Sequence, residues 1–501
     1  MDSRELGFPK YMIYCGMVAS LTSLSIGYVI GSPNVPEADI RGTNVDNCNV
    51  DGGFPECLHF DNLLWGFAVG SFCLGALAGG LSGGTIQNLY GRLRTMFIAN
   101  IFFILGALLL GLTYHQAMFI VGRIIIGFAC GLGGVVAPTY VGEISTINGR
   151  GTMGTMFQLL IVIGILISNL LGLGLSKAPL WRVLLAINGI PALIQIFLLP
   201  SLVESPRYLV SKNRLEEARH SLQKLRGQDS DIENEYSDIV QLLLGHTDNR
   251  AAVPAGATAD SAFEDAAMKV DPEVMATNAG GASPHNYSIA RLFTSECRGL
   301  AIIGILVHFF QQASGINGLI YYSTSFLGDV FGAGNSKYIT VGVSICNLLA
   351  TVTSVFLIDR VGRRTLLLGS MAGVTISSIL LVIGAYCNVD VLVVVSVFLY
   401  TAAFAIGLGP IPWLLLSELL PTYALSPASS VATAVNWGTN FVIGLVFPTL
   451  NKGLGNGTFI LFAALTGIGF LYVWYFVPET KARPIEEIMA EKGVAPRSDY
   501  L

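Results

Sequence analysis

The chain has 501 residues, of which 52% are hydrophobic and 12% are charged, and its formal net charge is -5. Soluble globular domains carry about 25% charged residues, so this composition excludes an ordinary soluble protein, including a soluble nucleic-acid-binding one. It predicts a protein that crosses the lipid bilayer many times, and the small net charge then says little about partners.

Twelve apolar runs are long enough to cross about 30 Å of hydrocarbon. The first six lie at roughly 11–30, 62–86, 95–113, 117–138, 153–174 and 181–200. The second six lie at roughly 299–323, 337–358, 365–387, 391–416, 428–450 and 457–477. The sequence therefore predicts an all-α membrane protein in four parts. These are a first six-helix bundle, a linker, a second six-helix bundle and a tail, at 1–203, 204–298, 299–478 and 479–501.

The loops between the runs predict the orientation. The first run has no small-residue cleavage site behind it, so we interpret it as a retained helix and not as a removed signal peptide. Basic residues, including Arg92, Arg150 and Arg360, lie in short loops on the side of the two termini. The segment 31–61 on the other side carries Arg41 against six acidic residues. By the positive-inside rule, both termini are predicted to be cytosolic.

Two cysteines differ from the others in their setting. Cys48 and Cys57 lie in the segment 31–61, which would face an oxidising compartment, whereas most of the remaining cysteines lie within apolar runs. A disulfide between Cys48 and Cys57 is therefore a hypothesis.

The linker carries two helical patterns and a biased stretch. Ser205-Pro206-Arg207-Tyr208 opens an amphipathic, charged segment through Arg226, which predicts one helix on the cytosolic surface. A second short helix is predicted at 231–244. The stretch from His246 to His285 is rich in Ala, Gly, Asp and Pro and is predicted to be disordered.

The chain shows no pattern typical of catalysis. No nucleophile with a base, metal-ligand cluster or phosphate-binding glycine loop occurs at workable spacing. We therefore expect no enzymatic activity, no cofactor and no metal.

Three amides interrupt the seventh apolar run. Gln311, Gln312 and Asn317 lie within the otherwise apolar residues 308–323. An unpaired amide in hydrocarbon costs several kcal/mol, so these side chains should face a protein interior or a water-filled cavity. Amides donate and accept hydrogen bonds without carrying charge, as the hydroxyls of a neutral polyhydroxylated solute require. The pattern indicates a binding site for such a solute.

The two halves repeat each other. Gly91-Arg92 follows the second run, and Asp359-Arg360-Val361-Gly362-Arg363-Arg364 follows the eighth, which is the second run of its half. Matching positions indicate an ancestral repeat, as in carriers whose substrate lies at the repeat interface.

Short motifs follow one another in a fixed order along nearly the whole chain. They are Gly122-Arg123 with Gly127 and Gly131, 138–143, Arg150-Gly151, 204–207, 311–317, 359–364, 409–413, Glu418, Asn436-Trp437 and 478–481. The ordered set resembles the sugar porter family of the major facilitator superfamily, in particular the facilitative glucose transporters and the fungal hexose carriers. The resemblance implies the major facilitator fold and transmembrane transport of a hexose, with glucose as the first candidate, by alternating access.

The resemblance also implies roles for individual residues. The implied sugar-binding residues are Gln158, Gln311, Gln312, Asn317, Asn347, Trp413 and Asn440. The implied gating residues are Tyr321, Tyr322, Gly409, Pro410 and Pro412. The implied cytosolic charge network, which joins the bundles when the site opens outward, is Arg92, Glu143, Arg150, Glu204, Asp359, Arg363, Glu418 and Glu479. Bonding between helices is an equal alternative for Asn347, Asn436 and Asn440, and Phe404 is a further candidate to stack on the sugar.

The chain departs from the family in the charge network. Asn88, Leu89 and Leu93 stand where the family usually has Asp and basic residues, and Leu425 stands in place of a usual arginine. We expect these changes to weaken the network and to favour an inward-facing resting state or slower cycling.

A second departure concerns energy coupling. Proton-coupled relatives carry an Asp after a Gly-Tyr or Gly-Phe pair in the first run, but here Gly27-Tyr28 is followed by Val29. Because proton symport of this kind requires a membrane-buried carboxylate, facilitative uniport is the expected mechanism. The alternatives are proton symport that uses His308, a polyol, inositol or disaccharide carrier of the same fold and, less favoured, a transporter-like nutrient sensor.

The expected partners are a sugar and the bilayer. We expect a protein that acts as a monomer in the plasma membrane, which is the family default, with the vacuolar membrane as the alternative.

Overall fold

The structure is a computed structural model, which describes residues 7–42, 50–51, 53–146, 149–244, 289–294, 296–420, 422–481, 483 and 485–491. Among these residues, twelve helical segments are long and apolar enough to cross a membrane. We number them spans 1 to 12 in chain order. The predicted all-α fold with twelve spans is confirmed.

The first bundle contains spans 1 to 6. Spans 1 to 5 are Lys10–Gly31, Asn62–Tyr90, Arg92–Gly111, Gln116–Ile144 and Arg150–Leu175. Span 6 consists of Trp181–Ala186 and Gly189–Leu198, continued by a 3₁₀ turn at Leu199–Ser201. The observed helices begin or end a few residues away from the apolar runs, because polar residues complete the terminal turns.

The second bundle contains spans 7 to 12, two of which are broken. Span 7 consists of Arg298–Ala313 and Ile316–Phe331, and span 10 consists of Asp390–Ile406 and Ile411–Leu419. Spans 8, 9, 11 and 12 are Ala333–Val361, Arg363–Tyr386, Thr422–Leu454 and Thr458–Phe476.

Shorter elements lie on the two faces of the bundles. The linker helices Pro206–Ser211, Leu215–Arg226, Glu233–Leu244 and Ile289–Thr294 and the tail helix Ile485–Glu491 lie on the face to which both termini lead. We call this the terminal face. The opposite face carries the helix Glu37–Arg41 and the two-stranded sheet of Val50–Asp51 and Phe54–Pro55, in which Val50 pairs with Pro55.

The linker differs from its prediction in one respect. The prediction of one helix through Arg226 is wrong, because the chain turns between two helices at Asn213, whose φ is +57°. Asparagine tolerates this left-handed conformation better than most residues. The second predicted helix is present at Glu233–Leu244. The predicted disorder at 246–285 lies outside the described residues.

Spans 2 and 4 pack unusually closely because of glycine. A Cβ atom on Gly127 would lie 1.9 Å from the carbonyl oxygen of Phe72, and one on Gly131 would lie 2.0 Å from that of Ala76. Without side chains at these positions the two helix backbones touch directly, as small residues allow in membrane proteins. The pair of glycines that the sequence motif contains is therefore a packing device.

This contact predicts the effect of one methyl group. Gly127→Ala should destabilise the protein by about 1–3 kcal/mol, because the two helices must separate to admit the Cβ atom. The measurement is the midpoint of thermal unfolding of purified protein in nanodiscs. Gly142→Ala is the matched control, since a Cβ atom on Gly142 meets nothing within 4 Å. Equal midpoints for the two variants would contradict the assignment.

Candidate functional site

A cavity lies between the two bundles. Its walls come from spans 1, 4, 5, 7, 8, 10 and 11. All of the proposed sugar-binding residues, namely Gln158, Gln311, Gln312, Asn317, Asn347, Trp413 and Asn440, line this one cavity. The structure thus brings together residues that lie up to 282 positions apart in the chain, from Gln158 to Asn440.

Four amides on spans 7 and 11 are joined in a chain of hydrogen bonds. The Nδ2 of Asn317 donates to the Oε1 of Gln312, whose Nε2 donates to the Oδ1 of Asn436 at 3.0 Å. The Nδ2 of Asn436 donates in turn to the Oε1 of Gln311 at 2.7 Å. Each amide fixes the orientation of the next, so the hydrogen-bonding pattern of this wall is set before a ligand arrives.

Gln311 has a second role in the break of span 10. Its Nε2 donates to the carbonyl oxygens of Leu408 and Gly409, both at 2.8 Å. The turn between the two halves of span 10 leaves these carbonyls without helical partners, and Gln311 satisfies them. Its donor group is therefore engaged by the backbone, which leaves Gln312 and Asn317 as the better contacts for a solute.

Other lining side chains are available to a ligand. Gln158, Asn347 and Trp413 make no side-chain hydrogen bond to any residue that the structure describes, although each lines the cavity. A neutral solute with several hydroxyl groups would supply the missing partners. Phe404 also lines the cavity, in agreement with its place as a candidate aromatic contact.

The two sides of the cavity differ in character. The first bundle contributes Gln158 among apolar and glycine residues, whereas most polar lining residues come from the second bundle. The apolar lining residues of the first bundle are Ile26, Ile30, Phe157, Ile161, Val162 and Ile165. Polar recognition therefore belongs mainly to the second bundle.

Several lining residues were not among those predicted. Thr433, Asn436 and Trp437 lie with Asn440 on one face of span 11, at helical spacings of three, four and seven residues. That spacing predicts that the four side chains lie on one face of the helix. The isoleucines of spans 1 and 5 carry no such signal, because an apolar residue in a membrane helix is equally suited to lipid.

Above the cavity, toward the opposite face, Tyr321 and Tyr322 lie where span 7 meets span 11. The hydroxyl of Tyr321 donates to the Oδ1 of Asn440 at 2.8 Å, and that of Tyr322 donates to the carbonyl oxygen of Gly444 at 2.8 Å. Phe72 of the first bundle packs edge-on against Tyr321, with ring centroids 6.0 Å apart. The two tyrosines therefore join span 7 to span 11, and the ring of Tyr321 also contacts the first bundle.

Nearer the opposite face, polar side chains bond directly between the two bundles. Asn34 donates to the Oγ of Ser323 at 2.8 Å and accepts from the backbone N–H of Thr324 at 3.1 Å. Lys337 donates to the Oγ of Ser176 at 2.9 Å. Asn34 and Ser176 were not predicted, since both lie at the ends of helices in stretches without a distinctive pattern.

Arg123 lies fully buried in the first bundle. Its guanidinium donates to the carbonyl oxygens of Val29 at 3.0 Å and Val69 at 2.8 Å, and it stacks over the ring of Phe72 at 4.6 Å. In the part of the chain that the structure describes, it forms no ion pair with a carboxylate. The cation is stabilised by backbone dipoles and an aromatic face.

His308 is buried behind Trp413 and is not among the described residues that line the cavity. Its Nδ1 lies 2.9 Å from the carbonyl oxygen of Gly304, and its ring packs edge-on against the indole at 4.8 Å between centroids. This is the environment of a helix-packing residue.

The charged residues on the terminal face form two matching sets. Arg92 pairs with Glu143 at 2.7 Å in the first bundle, and Arg363 pairs with Glu418 at 3.1 Å in the second. Each described pair therefore lies within one bundle. The side chains of Arg150 and Asp359 lie outside the described part of the structure.

Two carboxylates repeat the symmetry. Glu204 accepts from the backbone N–H groups of Arg92 and Leu93, at 3.1 and 3.2 Å. Glu479 accepts in the same way at the start of span 9, at 2.8 and 3.2 Å. Burial raises the pKa of the Glu204 carboxyl, although these N–H donors oppose the shift. Each carboxylate thus caps the third helix of its half.

The disulfide hypothesis concerns the opposite face. Cys57 is disulfide-bonded, while Cys48 lies outside the described residues. The pairing of the two stays a prediction.

The chain is similar to known proteins along nearly its whole length. It matches the family model described as "Sugar (and other) transporter" over residues 15–248 and 245–491. It is 34% identical over 489 residues to facilitated glucose transporter member 2 of solute carrier family 2 from Gallus gallus, which covers 95% of this chain and 85% of that protein. The member 3 protein from Oryctolagus cuniculus is 34% identical over 507 residues, with coverage of 98% and 94%.

The fold is similar to solved structures. In a partially occluded inward-open conformation, the xylose transporter XylE from E. coli matches with a TM-score of 0.73 and 25% identity. The match covers 94% of this chain and 99% of that chain.

Leu425 stands near the terminal end of span 11, where the family usually has an arginine, so we expect the terminal face to close weakly. Leu425→Arg should restore a cation near the terminal end of span 11. It should slow labelling of a cysteine placed at Thr433 in the cavity by about threefold, which corresponds to a change of under 1 kcal/mol. The measurement is the rate of reaction with a maleimide applied to the terminal face of sealed vesicles.

The control for this prediction is Leu425→Met, which keeps the volume without adding charge. Both variants are made in protein whose free cysteines Cys15, Cys73, Cys130, Cys297, Cys346 and Cys387 are replaced. Equal labelling rates in Leu425→Arg and Leu425→Met would contradict the expectation.

Proposed function

The chain belongs to the sugar transporter family, and on that premise we propose that it carries glucose or a closely related hexose by facilitated diffusion. Membership of the family makes it a sugar carrier and not an enzyme, as the sequence predicted. The choice of hexose is supported by the names of its relatives, which are facilitated glucose transporters.

The chemistry of the cavity supports a neutral sugar as the substrate. The linked amides of Gln312, Asn317 and Asn436 present fixed donors and acceptors, and Asn347 and Gln158 lie on other walls of the same cavity. Trp413 adds an aromatic face and one donor. Each neutral hydrogen bond contributes about 1 kcal/mol, so several of them hold a sugar while still permitting release.

One observation carries the proposal of uniport. Arg123, which is fully buried, donates to the backbone carbonyl of Val29 in span 1, and span 1 contains no Asp or Glu. A buried carboxylate that takes up and releases a proton is what this kind of symport requires. Without one, the energy comes from the sugar gradient alone.

We further propose the direction in which this conformation faces. Toward the opposite face, Phe72 packs on Tyr321 and Asn34 bonds to Ser323, so both contacts join the two bundles. On the terminal face, the pairs Arg92–Glu143 and Arg363–Glu418 each join two helices of one bundle. With the terminal face in the cytosol, as the basic loops predict, this is an inward-facing state. We place the carrier in the plasma membrane as a monomer.

The amide chain predicts which substitutions abolish transport. Gln312→Ala and Asn317→Ala should each reduce glucose uptake at least tenfold, because each removes a sugar contact and leaves a neighbouring amide without its partner. The measurement is radiolabelled glucose uptake, normalised to protein in the membrane. Asn335→Ala, which alters an exposed amide of span 8, is the matched control. Normal uptake in either cavity variant would remove that residue from the site.

The mechanism is tested by glucose flux into proteoliposomes with and without an inward proton gradient. We expect saturable flux that the gradient does not change, and competition by unlabelled fructose, galactose, inositol and trehalose ranks the substrates. Val29→Asp, which places a carboxylate next to Arg123, should make the flux depend on pH. Accumulation of glucose by the unaltered protein only when the gradient is present would overturn uniport, and His308→Gln would then show whether that histidine carries the proton.

A further inference from the structure

The hinge of span 7 is a single glycine in a buried turn. Gly315 has a φ of +86°, a conformation that residues with a Cβ atom rarely adopt, and it separates the helices Arg298–Ala313 and Ile316–Phe331. The carbonyl oxygen of the preceding residue, Ser314, accepts a hydrogen bond from the hydroxyl of Tyr400. The turn is thus anchored on its span 10 side.

The other side of the hinge is covered by one aromatic ring. A Cβ atom on Gly315 would lie 2.6 Å from the Cδ2 and the Cγ of Phe462, a residue of span 12 that is 1% exposed. The ring therefore lies directly against the backbone of the glycine. Phe462 is not among the described residues that line the cavity, so its contact with span 7 is separate from the sugar contacts.

The ring of Phe462 begins a column of three stacked rings. Phe462 and Phe447 are stacked with centroids 6.1 Å apart and planes 6° apart. Phe447 and Tyr322 are stacked with centroids 5.4 Å apart and planes 5° apart. The column therefore runs from the hinge glycine to Tyr322, one of the proposed gating residues.

The column follows one face of the second half of span 7. Gly315, Gly318 and Tyr322 are three and seven residues apart, which places them on the same side of a helix. A Cβ atom on Gly318 would lie 2.4 Å from the Cδ2 of Phe447, so the middle ring also lies against the span 7 backbone. The rings of Phe447 in span 11 and Phe462 in span 12 thus form a continuous aromatic surface against this half-helix, which we call the aromatic seat.

We propose that Phe462 is a positioning residue of the transport cycle, which acts through this seat to hold the second half of span 7 in its closed position. The proposal rests on the proposed function insofar as span 7 moves during transport. In the closed state the half-helix lies on the column, and Tyr322 lies against span 11. When the opposite face opens, the second half of span 7 rotates about Gly315 and leaves the column of rings. The rings therefore stabilise the closed state only, and removing one of them favours the open state.

The test measures opening of the opposite face directly. A cysteine at Ser323, which is 2% exposed and bonded to Asn34 in the closed state, reacts with a maleimide only when that face opens. Protein with the free cysteines replaced is studied in nanodiscs, and the labelling rate is compared for Phe462 and Phe462→Leu. We expect labelling to be about tenfold faster in Phe462→Leu, which corresponds to about 1.4 kcal/mol.

Two controls separate positioning from general packing. Phe470→Leu removes a ring from the same span, at a position whose ring stacks on Trp474 and not in the column, and should leave the labelling rate unchanged. Phe447→Leu removes the middle ring and should accelerate labelling as Phe462→Leu does, which keeps the test decisive if Phe462→Leu folds poorly. Thermal unfolding is recorded for every variant.

A double variant tests the contact with the hinge. In a Gly315→Ala background, Phe462→Ala should relieve the clash with the new Cβ atom. The change in labelling rate of the double variant should therefore differ from the product of the changes in the two single variants. The proposal is overturned if Phe462→Leu and Phe447→Leu lower thermal stability but leave labelling unchanged. Because labelling requires no sugar, this result is distinct from a failure of the flux experiments, which would overturn the proposed function alone.

Discussion

The need to satisfy every backbone polar group inside the bilayer determines the architecture of this protein. A broken helix exposes carbonyl and N–H groups, each of which costs several kcal/mol in hydrocarbon without a partner. Spans 7 and 10 each contain such a break, and side chains from neighbouring spans bond to the backbone at both, as Tyr400 does to the carbonyl oxygen of Ser314 in span 7. Gln311 binds the carbonyls of Leu408 and Gly409, and Ser370 accepts from the N–H of Leu408 at 2.9 Å. Since Gln311 also belongs to the amide chain, the site and the breaks beside it form one hydrogen-bonded unit.

The same requirement explains the symmetry of the terminal face. Spans 3 and 9 both begin directly after a glycine with positive φ, and in each case a carboxylate from a later segment binds the first N–H groups of the helix. A Cβ atom on Gly91 or Gly362 would lie 2.6 Å from that carboxylate. The glycines of the repeated motif are thus needed for close approach of an anion to a helix N-terminus, where the helix dipole favours negative charge. The two halves therefore share the same interaction, a carboxylate bound at a helix N-terminus, as well as the same sequence motif.

Much of this could be predicted from the sequence, because hydrocarbon imposes a strong and simple pattern. The twelve spans and the buried amides of span 7 follow from length and polarity alone. The resemblance to a family indicated the residues of spans 5, 8, 10 and 11 that join them in the cavity. The isoleucine wall of spans 1 and 5 could not be predicted, since lipid and cavity favour the same residues. Asn34 was missed because its partners, Ser323 and Thr324, lie almost 300 residues away. The turn at Asn213 depends on packing of two short helices, which amphipathic periodicity does not resolve.

The unequal walls of the cavity have a consequence for ligands. Hydrogen-bonding groups come mainly from the second bundle, and the first bundle presents chiefly the side chains of Ile26, Ile30, Ile161 and Ile165. A bound molecule would therefore stay hydrogen-bonded to the second bundle while the apolar wall of the first bundle moves past it. Chemical groups added on the covered side leave the hydrogen bonds intact but obstruct the sliding motion. Such derivatives would bind in the cavity without being transported. Modifying a substrate on its covered side is therefore a route to an inhibitor.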